Sequence, residues 1–184
     1  MGDILVINGG HSCYQWGTFS TKIDGMKILF VCSANICRSA LCEVVLKQKL
    51  IERGITGIDV KSAGVHDYSD TPRDATMVEY AKNAGYELGG KAIHLTQQMV
   101  DSADLIICME NFQVVEIQKR FLPYARWSSL HRFNEICFEE ETNLPDPSGD
   151  TGYMYSYVLE HVLKGCDKLI EKLSKMIDDE GDSL

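Results

Sequence analysis

Three features of the 184-residue sequence predict an α/β domain built on a four-stranded parallel sheet with helices on both faces. Short continuous apolar runs recur along the chain, the mark of strands buried on both sides. Segments with helical spacing separate these runs, so successive strands are joined by crossovers and lie parallel. Apolar residues make up 45% of the chain, enough for one core, and the length asks for no second domain.

The elements follow in order. Residues 1–25, "MGDILVINGGHSCYQWGTFSTKIDG", are rich in Gly, Ser and Thr and precede a second methionine. They read as an appendage, a leader or a non-native segment, rather than as an extra strand from "DILVIN". The domain itself is expected over 26–177. "MKILFVC" opens it as a buried strand, and "RSALCEVVLKQKLIERG" (38–54) follows as a helix, with Ala40, Val44, Leu46 and Leu50 at helical spacing before a glycine stop. "IDVKSAG" (58–64) reads as strand and "TPRDATMVEYAKNAG" (71–85) as helix, with Pro72 at its start and Gly85 at its end. A short helix over "TQQMVDSA" leads into the strand "DLIICME". "NFQVVEIQKRF" (111–121) is helical and "SSLHRF" a weak strand. A long amphipathic helix over 151–177 ends at an acidic tail, 178–184.

Composition excludes several roles. A formal charge of -9 argues against a nucleic-acid surface, whose affinity comes largely from Lys and Arg neutralising phosphates. No apolar run approaches the ~20 residues that span a bilayer, and no basic-then-apolar leader opens the chain, so no membrane partner is expected. Seven cysteines, an odd number set mostly in apolar runs, point to a reducing compartment and a cytoplasmic location. The oligomeric state is not legible.

The chemistry concentrates at the end of the first strand. In sheets of this kind ligands bind beyond the carboxyl ends of the strands, and Cys32 is the last residue of that strand. The loop Ser33–Ala34–Asn35–Ile36–Cys37 then carries the chain to a helix beginning near Arg38. Backbone N–H groups of a tight loop feeding a helix N-terminus favour an anion and can cradle phosphate. Arg38 adds a planar fork matched to phosphate oxygens, and with the loop amides it should favour the thiolate of Cys32. A thiolate facing a bound phosphate is a nucleophile placed for phosphoryl transfer. Ser39 can donate a hydroxyl hydrogen bond to that sulfur, and Asn35 can hold the turn through its side chain. Cys32, Cys37 and Cys42, at five-residue intervals, fit no usual zinc spacing, so neither metal nor cofactor is expected. His66, His94, His131 and His161 read as solvated or core histidines.

"LFVCSANICRS" closely resembles the V-C-x-x-N-x-C-R-S signature of low-molecular-weight protein tyrosine phosphatases. "SAGVHDYSDTPRDA" is similar to that family's variable loop, "LIICME" to its strand entering the site, and "LPDPSG" to its acid loop. The resemblance implies a Rossmann-like phosphotyrosine phosphatase I fold. It also implies hydrolysis of phosphotyrosine in protein substrates through a phosphocysteine at Cys32. Asp146, between Pro145 and Pro147, would be the acid that protonates the leaving group and then the base that activates water. Cys37 would be a redox partner able to form a disulfide with an oxidised Cys32. Tyr68 would supply a wall of the substrate cleft, because Ser148 and Gly149 stand where many members carry an aromatic. Ile36, rather than the threonine of members resembling arginine phosphatases, keeps the phosphotyrosine pattern. Gly90 stands where many members carry a histidine that braces the loop asparagine, which leaves the bracing of Asn35 open. The alternatives are an arsenate reductase of the same fold, whose cysteine relay is missing between Cys108 and Cys137, and a phosphotyrosine-binding module without turnover.

Overall fold

The computed structural model describes residues 25–121, 126, 129–150 and 152–181, of the last six the backbone alone. The appendage expected over 1–25 lies, apart from Gly25, outside the described residues.

Four strands form one sheet in the order β2-β1-β3-β4: β1 (Met26–Cys32), β2 (Ile58–Gly64), β3 (Leu105–Cys108) and β4 (Leu130–Arg132). Each neighbouring pair runs parallel, with Ile28 opposite Val60 on one side and Leu105 on the other. β1 is buried except at Lys27, and β3 throughout. Alternation along β1 divides two cores. Ile28, Phe30 and Cys32 face one cluster; Leu29 and Val31 face the other. Phe30 is fully buried with its ring 6.5 Å from that of Phe133, and burial of such a side chain contributes roughly 1.5–3 kcal/mol.

Among the described residues six helices cover the two faces: α1 (Arg38–Glu52), α2 (Ala75–Asn83), α3 (Gln97–Ser102), α4 (Asn111–Arg120), α5 (Phe133–Phe138) and α6 (Tyr153–Gly181). The first cluster draws Leu41, Val45 and Leu46 from α1, Ile136 from α5 and Val158, Val162 and Leu169 from α6. The second draws Val100 from α3 and Ile117 from α4. None of the helices in the described residues is long and apolar enough to cross a membrane.

Several boundaries differ from the sequence reading. α2 starts at Ala75 and not near Pro72, because the Asp74 carboxylate accepts from Met77 N at 2.8 Å and caps the helix there. Residues 71–73 are instead drawn into a loop, with Pro72 bridged to Lys91. On α1, Leu41, Cys42 and Val45 are buried, whereas Val44 is only partly so. The expected strand to residue 133 stops at Arg132, and Phe133 opens α5, a helix the periodicity did not reveal. The backbone of α6 runs on to Gly181, through part of the expected acidic tail.

Parallel order brings the carboxyl ends of β1, β2 and β3 to one edge, with Cys32 paired to Gly64. A Cβ on Gly64 would stand 2.6 Å from the Ala34 carbonyl carbon and 2.8 Å from Asn35 N. Glycine at that position lets the loop after β1 fold across the end of β2.

Candidate active site

The loop from Ser33 to Cys37 turns around the sulfur of Cys32. Asn35 N donates to Cys32 Sγ at 3.2 Å and Ser39 Oγ donates to it at 3.0 Å. Asn35 adopts φ +56°, a left-handed conformation in which Asn is among the better-tolerated residues. The carbonyls of the loop are bound from outside. Val65 N donates to Cys32 O at 3.0 Å, His66 N to Ser33 O at 2.9 Å, and Asp74 N to Ile36 O at 3.1 Å; Arg73 Nη1 donates to Asn35 O. With these carbonyls held outward and Asn35 N turned to the sulfur, the loop has the arrangement of an anion-binding nest. Ser33 Oγ accepts from Gln113 Nε2 at 3.4 Å, and Ile36 is half-buried.

Bracing of Asn35, left open by Gly90, comes from other residues. Asn35 Nδ2 donates to Ser39 Oγ at 3.0 Å and to Ser62 Oγ at 2.8 Å, while Asn35 Oδ1 accepts from Ile93 N and Arg73 Nη1, both at 2.9 Å. Ser62 Oγ in turn donates to Glu43 Oε2 at 2.5 Å. The buried amide is thereby satisfied on both sides, as its burial demands.

Arg38 opens α1 and is 2% exposed. Its Nη1 donates to Glu110 Oε1 at 2.5 Å and to Leu144 O at 3.0 Å, and its Nη2 donates to Asp146 Oδ2. Burial acts to lower the Arg38 value, but Asp146, Cys32 and Glu110 outweigh it and hold the guanidinium above its ordinary range. Asp146 is 44% exposed, and its other oxygen accepts from Ser148 N at 3.0 Å, a turn that fixes the carboxylate. Leu144 N donates to Met109 O at 2.8 Å and so ties this acid loop to the end of β3. A thiol with two donors, a guanidinium, inward amides and a carboxylate thus meet in one place. That set can bind a phosphoryl group, attack it and move a proton.

Of the residues predicted from sequence, Cys32, Arg38, Asp146, Ser33, Ala34, Asn35, Ile36, Cys37 and Ser39 lie together in this arrangement. Tyr68 is not drawn into these bonds; it stands 50% exposed on the loop after β2. Beside that loop His66 and Phe112 stack, ring centroids 6.3 Å apart. Cys37 and Cys32 are free thiols, and burial, followed by the charge of Asp74, pushes the Cys37 thiol up. Among the described residues no cluster of three or more His, Cys, Asp or Glu could hold a metal ion. Cys108 and Cys137 are both buried, one in each core cluster on opposite faces of the sheet.

Sequence reasoning missed Glu110, Arg73, Ser62, Glu43 and Gln113. Glu110 could have been flagged, since it lies just past β3 at the edge where ligands bind. The others reach the loop through side chains whose local spacing carries no signal.

Over residues 27–179 the chain matches the family described as low molecular weight phosphotyrosine protein phosphatase. It is 32% identical over 149 residues to the low molecular weight protein-tyrosine-phosphatase Etp of Escherichia coli, a match covering 80% of this chain and 95% of that protein. The solved protein tyrosine phosphatase of Entamoeba histolytica is similar with a TM-score of 0.75 at 27% identity, over 82% of this chain and 97% of that one. The YwlE arginine phosphatase of Geobacillus stearothermophilus is similar with a TM-score of 0.74 at 25% identity, over 82% and 94% of the respective chains.

Proposed function

The chain belongs to the low molecular weight phosphotyrosine protein phosphatase family, and we propose that it hydrolyses phosphotyrosine in protein substrates through a phosphocysteine intermediate. The observation that carries this reading is the convergence on one sulfur. Cys32 accepts from Asn35 N and Ser39 Oγ at the mouth of a loop whose carbonyls are turned outward, with Arg38 and Asp146 alongside.

Phosphate oxygens take the inward amides and the Arg38 fork, competing with Asp146 for Nη2. The Cys32 thiolate then attacks phosphorus. The P–O bond to the phenol breaks, and Asp146 delivers its proton to the departing oxygen. In the second step Asp146 takes a proton from water, whose oxygen attacks phosphorus, and the S–P bond breaks to return thiolate and inorganic phosphate. Ser39 donates to the sulfur when it is a thiolate, before attack and again as it leaves phosphorus.

The substrate ring is read as aromatic because Ile36 keeps the pattern expected for phosphotyrosine. An arsenate reductase would need two further cysteines in relay, and the burial of Cys108 and Cys137 in different cores speaks against it. The test is phosphate release in EDTA from a phosphotyrosyl peptide and a phosphoarginyl peptide, with arsenate reduction assayed on the same sample. Turnover of the phosphotyrosyl peptide is expected; arsenate reduction with negligible phosphatase activity, or turnover of phosphoarginine alone, would overturn the reading.

A further inference from the structure

Four loop carbonyls are held outward by the segment that follows β2, three through backbone N–H groups and one through a side chain, that of Arg73. The same guanidinium group is attached at three points. Nη1 donates to Asn35 O and, at 2.9 Å, to Asn35 Oδ1, while Nε donates to Gly89 O at 3.1 Å. Arg73 thus links the backbone and side chain of the one left-handed residue of the loop to Gly89 in the loop at 85–95, which also reaches Asn35 Oδ1 through Ile93 N. A Cβ on Gly90, at φ +82°, would stand 3.9 Å from Arg73 Nη2, in ordinary contact with the guanidinium. Burial draws the guanidinium below its ordinary value, while Glu43 and Cys32 act in the opposite sense, consistent with a cation close to the sulfur.

We propose that Arg73 is a positioning residue for the phosphate site: it fixes Asn35 in its left-handed conformation so that the loop amides point at the bound anion. Asn35 N reaches Cys32 Sγ at 3.2 Å in that conformation, and the two bonds from Arg73 to Asn35 O and Oδ1 oppose its return to an ordinary φ. Arginine suits the task because its rigid planar group reaches Asn35 through Nη1 and Gly89 O through Nε at once, a geometry the compact ammonium of lysine does not reproduce. The inference rests on the loop being a phosphate site, as read above, and is separable from turnover.

The test is alkylation of Cys32 by iodoacetamide, mapped by peptide mass spectrometry, with inorganic phosphate as the protecting ligand. It needs no catalysis. Arg73→Ala should raise the phosphate concentration for half-protection about tenfold, the loss expected for charge-assisted hydrogen bonds that hold the binding amides. Arg73→Lys should recover part of that loss. Arg53→Ala, which removes an equal charge at the far end of α1, where Arg53 pairs with Asp167 at 2.6 Å, should leave protection unchanged. Protection of Arg73→Ala equal to wild type, or equal weakening in Arg53→Ala, overturns the role of Arg73. Should Arg73→Ala not fold, Arg73→Lys decides: unaltered protection there overturns it too. Wild type that phosphate does not protect at all sinks the phosphate-site reading itself.

Discussion

Arg38 and Glu110, 72 residues apart in the chain, are joined by a 2.5 Å hydrogen bond between Nη1 and Oε1, with the guanidinium buried and the carboxylate partly so. The bond orients the fork proposed to bind phosphate. Hydrogen bonds to charged groups contribute roughly 1.5–3 kcal/mol, and removal of one partner leaves the other buried and unpaired. Glu110→Ala should therefore lower kcat/KM by about ten- to a hundredfold. Glu110→Gln, which keeps an acceptor oxygen, should retain most of the activity. Steady-state kinetics of the two variants on an aryl phosphate check this, and equal losses would show that charge and not orientation matters.

Ser62 joins Asn35 to Glu43, accepting at 2.8 Å and donating at 2.5 Å. Ser62→Ala leaves Asn35 Nδ2 with Ser39 as its partner and deprives Glu43 Oε2 of a donor. A stability loss of about 1–3 kcal/mol is expected from the urea midpoint. A change below about 0.5 kcal/mol, the size of an ordinary surface substitution, would mean that the brace contributes little.

The parts of this arrangement that were legible in the sequence are the local ones. β1 and β2 each read as one strand, ending at Cys32 and Gly64, and the stretch from Cys32 to Ser39 carries its own chemistry in eight consecutive residues. What stayed hidden depends on pairing across distance. Nothing near Arg73 announces that it will meet Asn35, 38 residues earlier, and Ser62 becomes a brace only because parallel pairing sets β2 beside β1. α5 escaped because its six residues follow β4 without a break, and Phe133, which opens the helix, reads as the last residue of the strand. Pro72 misled for a physical reason: proline suits a first helical turn, but the Asp74 carboxylate captured the Met77 amide and set the start later.

Cys37 is proposed to guard Cys32 against irreversible oxidation. Peroxide converts the Cys32 thiolate to a sulfenic acid with release of water or hydroxide, and the Cys37 thiol condenses with it, expelling water to leave a disulfide. Burial pushes the Cys37 thiol up, so this second step should be slow. After matched peroxide doses, dithiothreitol should restore wild type more fully than Cys37→Ser. Equal recovery at high dose would remove the redox role.

His161 packs its ring 4.4 Å from Phe138 and 5.4 Å from Tyr157, and Nε2 meets Asn134 Oδ1 at 2.9 Å. Asn134 Nδ2 donates to Thr142 Oγ1 and Asn143 O, so Oδ1 is the acceptor and Nε2 carries the proton. Burial holds His161 below its ordinary value. The unfolded chain therefore binds this proton at a higher pH than the folded one. The contribution is complete above the ordinary histidine value of about 6.5 and is lost as pH falls through the lower folded value. The urea midpoint should drop between neutral pH and mildly acidic pH, and by less in His161→Gln. An equal drop in the variant would assign the pH dependence elsewhere.

The central claim, that Cys32 carries the phosphoryl group, is tested most directly by acid-quenching Asp146→Ala during turnover of an aryl phosphate with a good leaving group. Asp146 is needed less for departure of such a group than for activation of water, so the intermediate should accumulate. Peptide mass spectrometry should find one phosphoryl group on the peptide containing Cys32, and none in the Asp146→Ala, Cys32→Ser double variant. Phosphate release with the phosphoryl group on another residue, or with Cys32→Ser as active as wild type, would contradict the account.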